Sequence, residues 1–403
     1  MFHIYIYIES FIHCNIALVI QLIGVVWKGR NMIKHPFISL CMIVKDEERW
    51  IESCLKSVYT AVDEIIIVDT GSGDRTKDIC LSFGAEVFDF TWRDSFAEAR
   101  NYGINKAKGE WILWLDADEE MKLEDMEMFL TMLRSYTKDA LEVPIVSYYG
   151  DFPVNAGRAY TFCSYRLFRN NKGYRFVGDI HEYPDIEGFI PDYDKDMLKL
   201  AKIYHYGYLN EVSEAKKKSD RNIKILQKIR AQSVDNPWAD YHMASEYYRA
   251  GKYEMAFNHV NMALWGFLNK KQIPPAIAYK LKYDILLISS NYDGAWPGVE
   301  KAIELYPDYV DLHFYKGLIF FEKNRYADAI PIFQHCLKLG EQNYKYLTLV
   351  GCGSYRAWYY IGMCHEKLGK QEEAYEDFKR TISIYKDYDG SKNKFYDEVI
   401  KNI

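Results

Sequence analysis

Between residues 37 and 115, short apolar runs alternate with amphipathic segments of helical period. Apolar runs bounded by turn residues are typical of buried strands, whereas apolar residues at i, i+3, i+4 and i+7 are typical of helices. This alternation predicts a Rossmann-like α/β domain with a mostly parallel sheet, which binds its ligands at the carboxyl ends of the strands. The predicted strands are 37–44, 64–68, 85–90 and 110–115; the predicted helices are 47–59, 75–83 and a segment capped by Asp94 or Ser95 that runs to about Lys108.

Two aspartates, Asp116 and Asp118, directly follow the fourth predicted strand. On an extended chain alternate side chains point to the same side, so the two carboxylates are expected to lie together. Close like charges repel each other, and burying a carboxylate without a partner is costly. A divalent cation removes both problems, and Mg²⁺ or Mn²⁺ commonly shares one or two carboxylates with a substrate diphosphate. The motif is common in surface loops, but its position after a buried strand predicts a metal site.

The chain from Asn236 onwards has a helical pattern and carries an internal repeat. Ala295 and Ala329 are 34 residues apart, which is the period of a tetratricopeptide helix pair. Ala374 follows Ala329 after 45 residues, so we predict an insertion of about 11 residues over 340–353.

These patterns divide the chain into predicted units. An α/β domain over 36–210 is followed by a charged linker helix over 211–235, whose lysines 216–218 are expected on a solvated face. An all-α domain of three to four tetratricopeptide-like repeats covers 236–390, and 391–403 forms a tail. Gly317 and Gly362 are expected where paired helices touch. Such arrays present a concave groove, which is typical of proteins that hold a peptide or another protein.

The first 35 residues form an apolar leader. Its continuous apolar stretch, 16–27, is shorter than the roughly 20 residues of a membrane span. Positive charge follows this stretch at Lys28 and Arg30 instead of preceding it, which is unlike a signal peptide. We favour Met32 as the true start over a weak membrane anchor, and either interpretation leaves the bulk of the chain cytoplasmic.

Composition excludes some classes of function. The 403 residues carry a net charge of −6, which argues against a nucleic-acid surface. The eight cysteines form no Cys-x-x-Cys pair, so we expect a reducing compartment and neither a disulfide framework nor a zinc site.

Polar motifs surround the predicted strands, and together they resemble the family-two glycosyltransferases of GT-A fold. The motifs are Lys45-Asp-Glu-Glu48, Asp69 with Gly71-Ser-Gly-Asp74, the segment from Asp94 to Asn101, and Asp116 to Glu119. Two further motifs, Gly178-Asp-Ile-His-Glu182 and His205-Tyr-Gly-Tyr208, are similar to the subset in which tetratricopeptide repeats follow the transferase. That subset includes peptide S-glycosyltransferases that modify a bacteriocin precursor. The resemblance extends from residue 37 to about residue 385.

The resemblance implies an inverting transfer of a hexose from a UDP-sugar, assisted by Mg²⁺ or Mn²⁺. It implies Asp118 as the metal ligand, with His181 and His205 as further metal contacts; packed core histidines are the alternative for both. Asp69 suits a hydrogen bond to uracil or ribose. Arg100 suits the diphosphate or a contact that fixes Asp69, and a structural ion pair is its alternative. The full set of implied donor contacts is Val44, Asp69, Arg100, Asp116 and Ala117.

An inverting transfer needs one base on the face opposite the leaving group, and Glu182 is the candidate. His181 precedes it, and neighbouring side chains of an extended chain point to opposite sides, so the two cannot address one atom without a bend. A cysteine acceptor would need little help, because a thiol is already partly ionised near neutral pH.

Three functions remain open from the sequence. The first is a cytoplasmic enzyme that glycosylates a Cys, Ser or Thr of a bacteriocin-type peptide held by the repeats. The second is a transferase that acts on a cell-wall or lipid-linked glycan, and the third is a non-catalytic repeat scaffold. The expected partners are a nucleotide-sugar donor and a peptide or small-protein acceptor, without nucleic acid or a membrane, and a homodimer stays open.

Overall fold

A computed structural model describes residues 35–186, 196–215, 218–232 and 236–388. The predicted leader before residue 35, most of the predicted lysine face and the predicted tail lie outside these residues. No helix within the described ranges is long and apolar enough to cross a membrane.

The N-terminal domain is built on a nine-stranded mixed sheet in the order β3-β2-β1-β4-β7-β6-β10-β5, with β11 paired to β7. Strands β3, β2, β1 and β4 are parallel, as predicted. Beyond β4 the sheet becomes mixed, because a short loop joins β6 to β7 and parallel neighbours need a longer crossover connection. The strands are β1 Ile38–Val44, β2 Glu64–Asp69, β3 Glu86–Asp89, β4 Trp111–Trp114, β5 Glu119–Leu123, β6 Ala140–Gly150, β7 Ala159–Arg169, β10 Ala201–Leu209 and β11 Thr348–Leu349, with β8 Phe176–Val177 and β9 Tyr183–Pro184 forming a separate pair.

The helices of this domain follow the apolar spacing of the sequence. In the first, the buried residues Ile51, Cys54, Leu55 and Val58 fall at i, i+3, i+4 and i+7. The third begins after Ser95, whose hydroxyl accepts a hydrogen bond from the Glu98 amide at 3.3 Å, so Ser95 and not Asp94 is its cap. The helices are α1 Ile51–Val58, α2 Thr76–Ser82, α3 Phe96–Ile104, α4 Met126–Ser135 and α5 Met197–Leu200.

After β10 the described chain is helical apart from the short strand β11, which confirms the predicted fold class of an α/β domain followed by helical repeats. Helices α8 and α9, α13 and α14, and α15 and α16 pack as pairs. The predicted insertion lies between α14 and α15 and contains strand β11. The helices are α6 Asn210–Ala215, α7 Lys218–Gln232, α8 Pro237–Arg249, α9 Tyr253–Asn269, α10 Ala276–Ile288, α11 Tyr292–Ala295, α12 Gly298–Leu305, α13 Val310–Glu322, α14 Tyr326–Leu339, α15 Tyr355–Lys367 and α16 Gln371–Tyr388.

The two predicted contact glycines lie where paired helices touch. A Cβ atom on Gly317 would lie 2.5 Å from Cε1 of Phe333, and one on Gly362 would lie 2.8 Å from Cε1 of Phe378. Because real carbon atoms do not approach so closely, only glycine allows each helix pair to close.

Replacing Gly317 by alanine is expected to destabilise the repeats. Overpacking costs about 1–3 kcal/mol, whereas alanine gains about 1 kcal/mol over glycine in a helix, so we expect a net loss of up to about 2 kcal/mol. Thermal unfolding followed by circular dichroism measures this loss as a lower Tm. Adding Phe333→Leu should recover part of it, and a Tm at or above the wild-type value would contradict the proposed contact.

The repeats dock onto the α/β domain through its β6–β7 hairpin. Strand β11 extends the sheet, with Leu349 opposite Tyr160 of β7. The Arg356 guanidinium of α15 donates to the Gly157 carbonyl at 2.9 Å. From α10, the buried ammonium group of Lys280 lies 5.0 Å from the centre of the Tyr160 ring. The face of the repeats that these residues form is therefore occupied by the protein's own hairpin.

Candidate active site

The carboxyl ends of β2, β1 and β4 meet at one edge of the sheet. Val44 at the end of β1 pairs in register with Asp69 at the end of β2. On the other side of β1, Cys41 pairs with Trp114, the last residue of β4, so β4 ends three residues before β1 does. The chain passes from β1 to β2 and β3 on one side and returns to β4 on the other. Such a reversal of strand order opens a crevice where α/β sheets bind ligands.

Asp69 offers a free acceptor atom at this edge. One carboxylate oxygen, Oδ1, accepts hydrogen bonds from the amides of Gly71 at 2.8 Å and Ser72 at 2.9 Å. The other oxygen, Oδ2, is buried and has no hydrogen-bond partner within the described residues. A buried carboxylate oxygen without a partner is costly, so this atom suits a donor group of a ligand.

The Asp116-Ala117-Asp118 segment forms a turn and is not extended. The prediction that strand alternation places both carboxylates on one side was therefore wrong, because it assumed an extended chain. The Glu119 amide donates to the Asp116 carbonyl at 3.1 Å, which closes a turn, and the Glu119 carboxylate accepts from the Asp116 amide at 2.9 Å. The two aspartates consequently have different surroundings. The Asp116 side chain is 38% exposed, whereas that of Asp118 is 6% exposed.

Arg100 joins two of the candidate residues. From α3 it donates to Asp116 Oδ1 through Nη2 at 2.6 Å and to Glu182 Oε1 through Nε at 2.6 Å. The suggestion that Arg100 fixes Asp69 is therefore wrong; its ion pairs are with Asp116 and Glu182. The partial burial of Asp116 opposes its ionisation, but the nearby positive charges outweigh this effect and hold the pKa of Asp116 below its ordinary value. The Nη1 atom of Arg100 is buried and finds no partner in the described part of the chain.

Glu182 lies at the other end of this arginine. Its side chain is 10% exposed. Burial raises the pKa of the Glu182 carboxyl above its ordinary value, and the charge of Arg100 offsets this only in part. A carboxylate with a raised pKa is a better proton acceptor than an exposed one, as a general base requires.

The two candidate histidines lie in different places. His205 Nε2 is 3.5 Å from Asp118 Oδ1, and its Nδ1 is 3.0 Å from the Ser147 hydroxyl, which orients the ring. The ring of His181 instead stacks on His242 of α8, with 4.0 Å between the ring centres. Burial lowers the pKa of His181 to about 3, so its ring is neutral. The structure brings His205 to Asp118, whereas metal contact by His181 stays a prediction.

An ion pair that was not predicted supports the aspartate turn. Arg166 of β7 donates to Glu119 through both terminal nitrogens, at 2.8 and 2.7 Å, and both side chains are buried. The guanidinium groups of Arg166 and Arg100 lie 3.9 and 4.5 Å from the Trp114 ring centre. No local pattern points to Arg166, because only the antiparallel pairing of β7 with β4 brings it here.

The charges of this cluster fit a cation that arrives with a phosphate ligand. The carboxylates of Asp116, Asp118, Glu119 and Glu182 outnumber the two arginines, so negative charge is in excess. Among the described residues, no group of three or more His, Cys, Asp or Glu side chains is arranged to hold a metal ion. Mg²⁺ and Mn²⁺ commonly take only one or two carboxylates and complete their coordination with water and substrate phosphates, which is compatible with Asp118 and its neighbours.

Comparison with known families agrees with this architecture. Residues 39–193 match the model of glycosyl transferase family 2. Residues 285–344 and 355–388 match tetratricopeptide repeat models. The chain therefore carries a family 2 glycosyltransferase domain followed by tetratricopeptide repeats, as its motifs predicted.

Two relatives are similar to this chain over about two thirds of its length or more. A TPR repeat-containing protein of Synechococcus elongatus is 32% identical over 277 residues, which cover 66% of this chain and 66% of that protein. The SPbeta prophage-derived glycosyltransferase SunS of Bacillus subtilis is 26% identical over 296 residues, which cover 72% of this chain and 68% of SunS. The matched region thus spans about two thirds of either relative. Among solved structures, MamA aligns with a TM-score of 0.36 and 19% identity over 42% of this chain and 91% of MamA.

Proposed function

We propose that this protein is a metal-dependent, inverting glycosyltransferase that takes a hexose from a UDP-sugar. The observation that carries the proposal is that two features lie at the switch point of a family 2 sheet: Asp69 Oδ2, which has no hydrogen-bond partner among the described residues, and the Asp118–His205 pair. The alternative of a non-catalytic scaffold is disfavoured, because a scaffold has no need to keep such costly buried charges together.

Different residues of the site are proposed to bind different parts of the donor. Asp69 Oδ2 accepts a hydrogen bond from the uracil ring or the ribose, beside the predicted donor contacts at Val44 and Ala117. Asp118 and His205 would hold the cation, with Asp116 and the metal contact of His181 as further predictions. The bound cation supplies positive charge that stabilises the diphosphate as it leaves.

Glu182 takes the acceptor proton. The acceptor oxygen or sulfur forms a bond to the anomeric carbon of the sugar while the bond from that carbon to the phosphate oxygen breaks, and the acceptor proton passes to the Glu182 carboxylate. Arg100 holds Glu182 and Asp116 in fixed positions, since its guanidinium group donates to both at 2.6 Å. Holding the reacting groups in the productive arrangement before the reaction lowers the activation free energy.

The acceptor we propose is a Cys, Ser or Thr side chain of a bacteriocin-type peptide, bound by the repeats in the cytoplasm. The resemblance to peptide S-glycosyltransferases and the similarity to SunS support this choice over a cell-wall or lipid-linked glycan. Because the β6–β7 hairpin already occupies one face of the repeats, the peptide docks beside it, near α7 and α8, where the repeats approach Glu182.

The test follows UDP release from a panel of UDP-sugars, with Mn²⁺, with Mg²⁺ or with chelator, in the presence and absence of peptides that contain one Cys or Ser. We expect one donor to be used, a chelator to stop release, and Asp118→Asn to raise the Mn²⁺ concentration needed by at least about tenfold, since it removes one ligand charge. Asp293→Asn, an exposed aspartate of α11, is the matched control. Failure of every UDP-sugar to bind in calorimetry would contradict the proposal.

A further inference from the structure

The loop that carries Glu182 is attached to both domains. Its residue Ile180 is buried in an apolar cluster with Leu226 of α7 and Tyr241 of α8. On the other side, the Asp179 carbonyl accepts a hydrogen bond from the Phe96 amide at the start of α3, at 2.9 Å. The loop is therefore wedged between the transferase domain and the first helices of the repeat region.

The backbone turns sharply one residue before the candidate base. His181 has φ of +53°, a left-handed conformation that a non-glycine residue rarely adopts. This bend sends the His181 ring towards the repeats and the Glu182 carboxylate towards Arg100. A strained backbone conformation persists only where the surrounding contacts hold it in place.

The His181 ring packs against a stack of rings from helix α8. His242 lies parallel to His181, with an angle of 11° between the ring planes. Its ring also stacks with Trp238, one turn earlier on the helix, at 5.9 Å and 25°. His242 is thus placed between the loop and a tryptophan of its own helix.

We propose that His242 of the first repeat helix is a positioning residue, which holds the His181 bend and thereby sets the place of the Glu182 carboxylate. This inference rests on the proposed function, because it assigns Glu182 the role of base. The repeat domain is then a structural part of the active site as well as a place for the acceptor to dock.

His242 could hold the loop through the packing of its ring or through the chemistry of its imidazole nitrogens. The two rings lie face to face, with 4.0 Å between their centres and 11° between their planes. A phenyl ring has the shape needed for the same stack and no nitrogen atoms. If packing is what matters, His242→Phe keeps the geometry and His242→Ala loses it.

The experiment compares full-length wild type, His242→Ala and His242→Phe in UDP release, and adds calorimetric UDP binding. We expect His242→Ala to lower kcat by about ten- to hundredfold, since small displacements of a catalytic group have effects of that size. The Kd for UDP should stay within about twofold, because Asp69, the proposed nucleotide contact, is held by the amides of Gly71 and Ser72 and not by this loop. His242→Phe should keep kcat within about threefold of wild type.

The matched control is His335→Ala, which removes a contact between two histidine rings far from the Glu182 loop in sequence, His313 and His335, whose ring centres are 4.6 Å apart. It should leave kcat unchanged. The proposal is overturned if His242→Ala keeps wild-type kcat, or if His242→Phe loses as much as His242→Ala. Where His242→Ala is too unstable, His242→Leu fills the space without a ring and gives the same comparison.

Hydrogen exchange separates this proposal from the proposed function. Amides of 176–184 should exchange faster in His242→Ala than in wild type or His242→Phe, whether or not a donor is found. If wild type turns over no donor but the exchange pattern is as expected, the catalytic function fails and the positioning contact stands. Equal exchange in all three proteins would overturn the contact itself.

Discussion

Replacing Glu182 by glutamine is expected to lower kcat about 10²- to 10⁴-fold with a hydroxyl acceptor, which is the usual contribution of a general base. The amide oxygen can still accept the hydrogen bond from Arg100 Nε, so the fold and the KM for the donor should change little. Steady-state UDP release at saturating acceptor measures the effect, and Glu304→Gln, an exposed residue of α12, is the matched control. Wild-type kcat in Glu182→Gln would exclude Glu182 as the base.

The pH dependence follows from the direction of the pKa shift. The base must be ionised to act, and burial raises the pKa of Glu182, so the acid limb of kcat/KM should lie above about pH 4.3, the ordinary glutamate value. Glu182→Gln should abolish this limb. With a cysteine acceptor, raising the pH should restore much of the lost rate, because the thiolate forms without a base. The two acceptor chemistries can be told apart in this way.

Replacing Arg166 by methionine is expected to destabilise the transferase domain by about 3–5 kcal/mol, because it leaves the Glu119 carboxylate buried without its partner. The Glu119 side chain is 1% exposed, so water cannot take the place of the guanidinium. The expected fall in Tm is at least about 6 °C, since 1 kcal/mol corresponds to about 2–4 °C in a domain of this size. Differential scanning calorimetry measures the transition.

Two variants control this measurement. Arg325→Met removes an exposed ion pair with Asp328, which contributes about 0–1 kcal/mol, and should change Tm little. Arg166→Met combined with Glu119→Leu removes both charges and should recover much of the loss. A Tm for Arg166→Met equal to that of Arg325→Met would show that the buried pair does not support the aspartate turn.

Local patterns predicted the elements that depend on neighbouring residues. Short stretches of chain determine the apolar spacing of α1, the strands before Asp69 and Asp116, and the repeat period. The fold class and the edge of the sheet could therefore be predicted from the sequence. The two contact glycines were predictable for the same reason, since the repeat period places them opposite phenylalanines.

Contacts between distant segments were not predictable. Strand alternation could not anticipate the turn at Asp116, because the turn depends on the Glu119 carboxylate, which Arg166 holds from a strand far along the chain. Arg100 pairs with Asp116 and Glu182 and not with Asp69, which the sequence suggested. This outcome likewise depends on how distant segments pack together. Glu182 was predictable as a candidate only through motif resemblance, and its support by His242 only from the packed domains.

Strand β11 has a consequence for any attempt to shorten this chain. It belongs to the repeats by sequence but supplies backbone hydrogen bonds to β7, alongside Tyr160 and Thr161. A fragment that ends before the repeats would leave that stretch of β7 with unpaired amide and carbonyl groups, and such exposed edges recruit other chains and aggregate. The two halves of the protein are therefore poor candidates for separate expression, and a foreign repeat domain put in place of its own would need to supply a strand that matches β11.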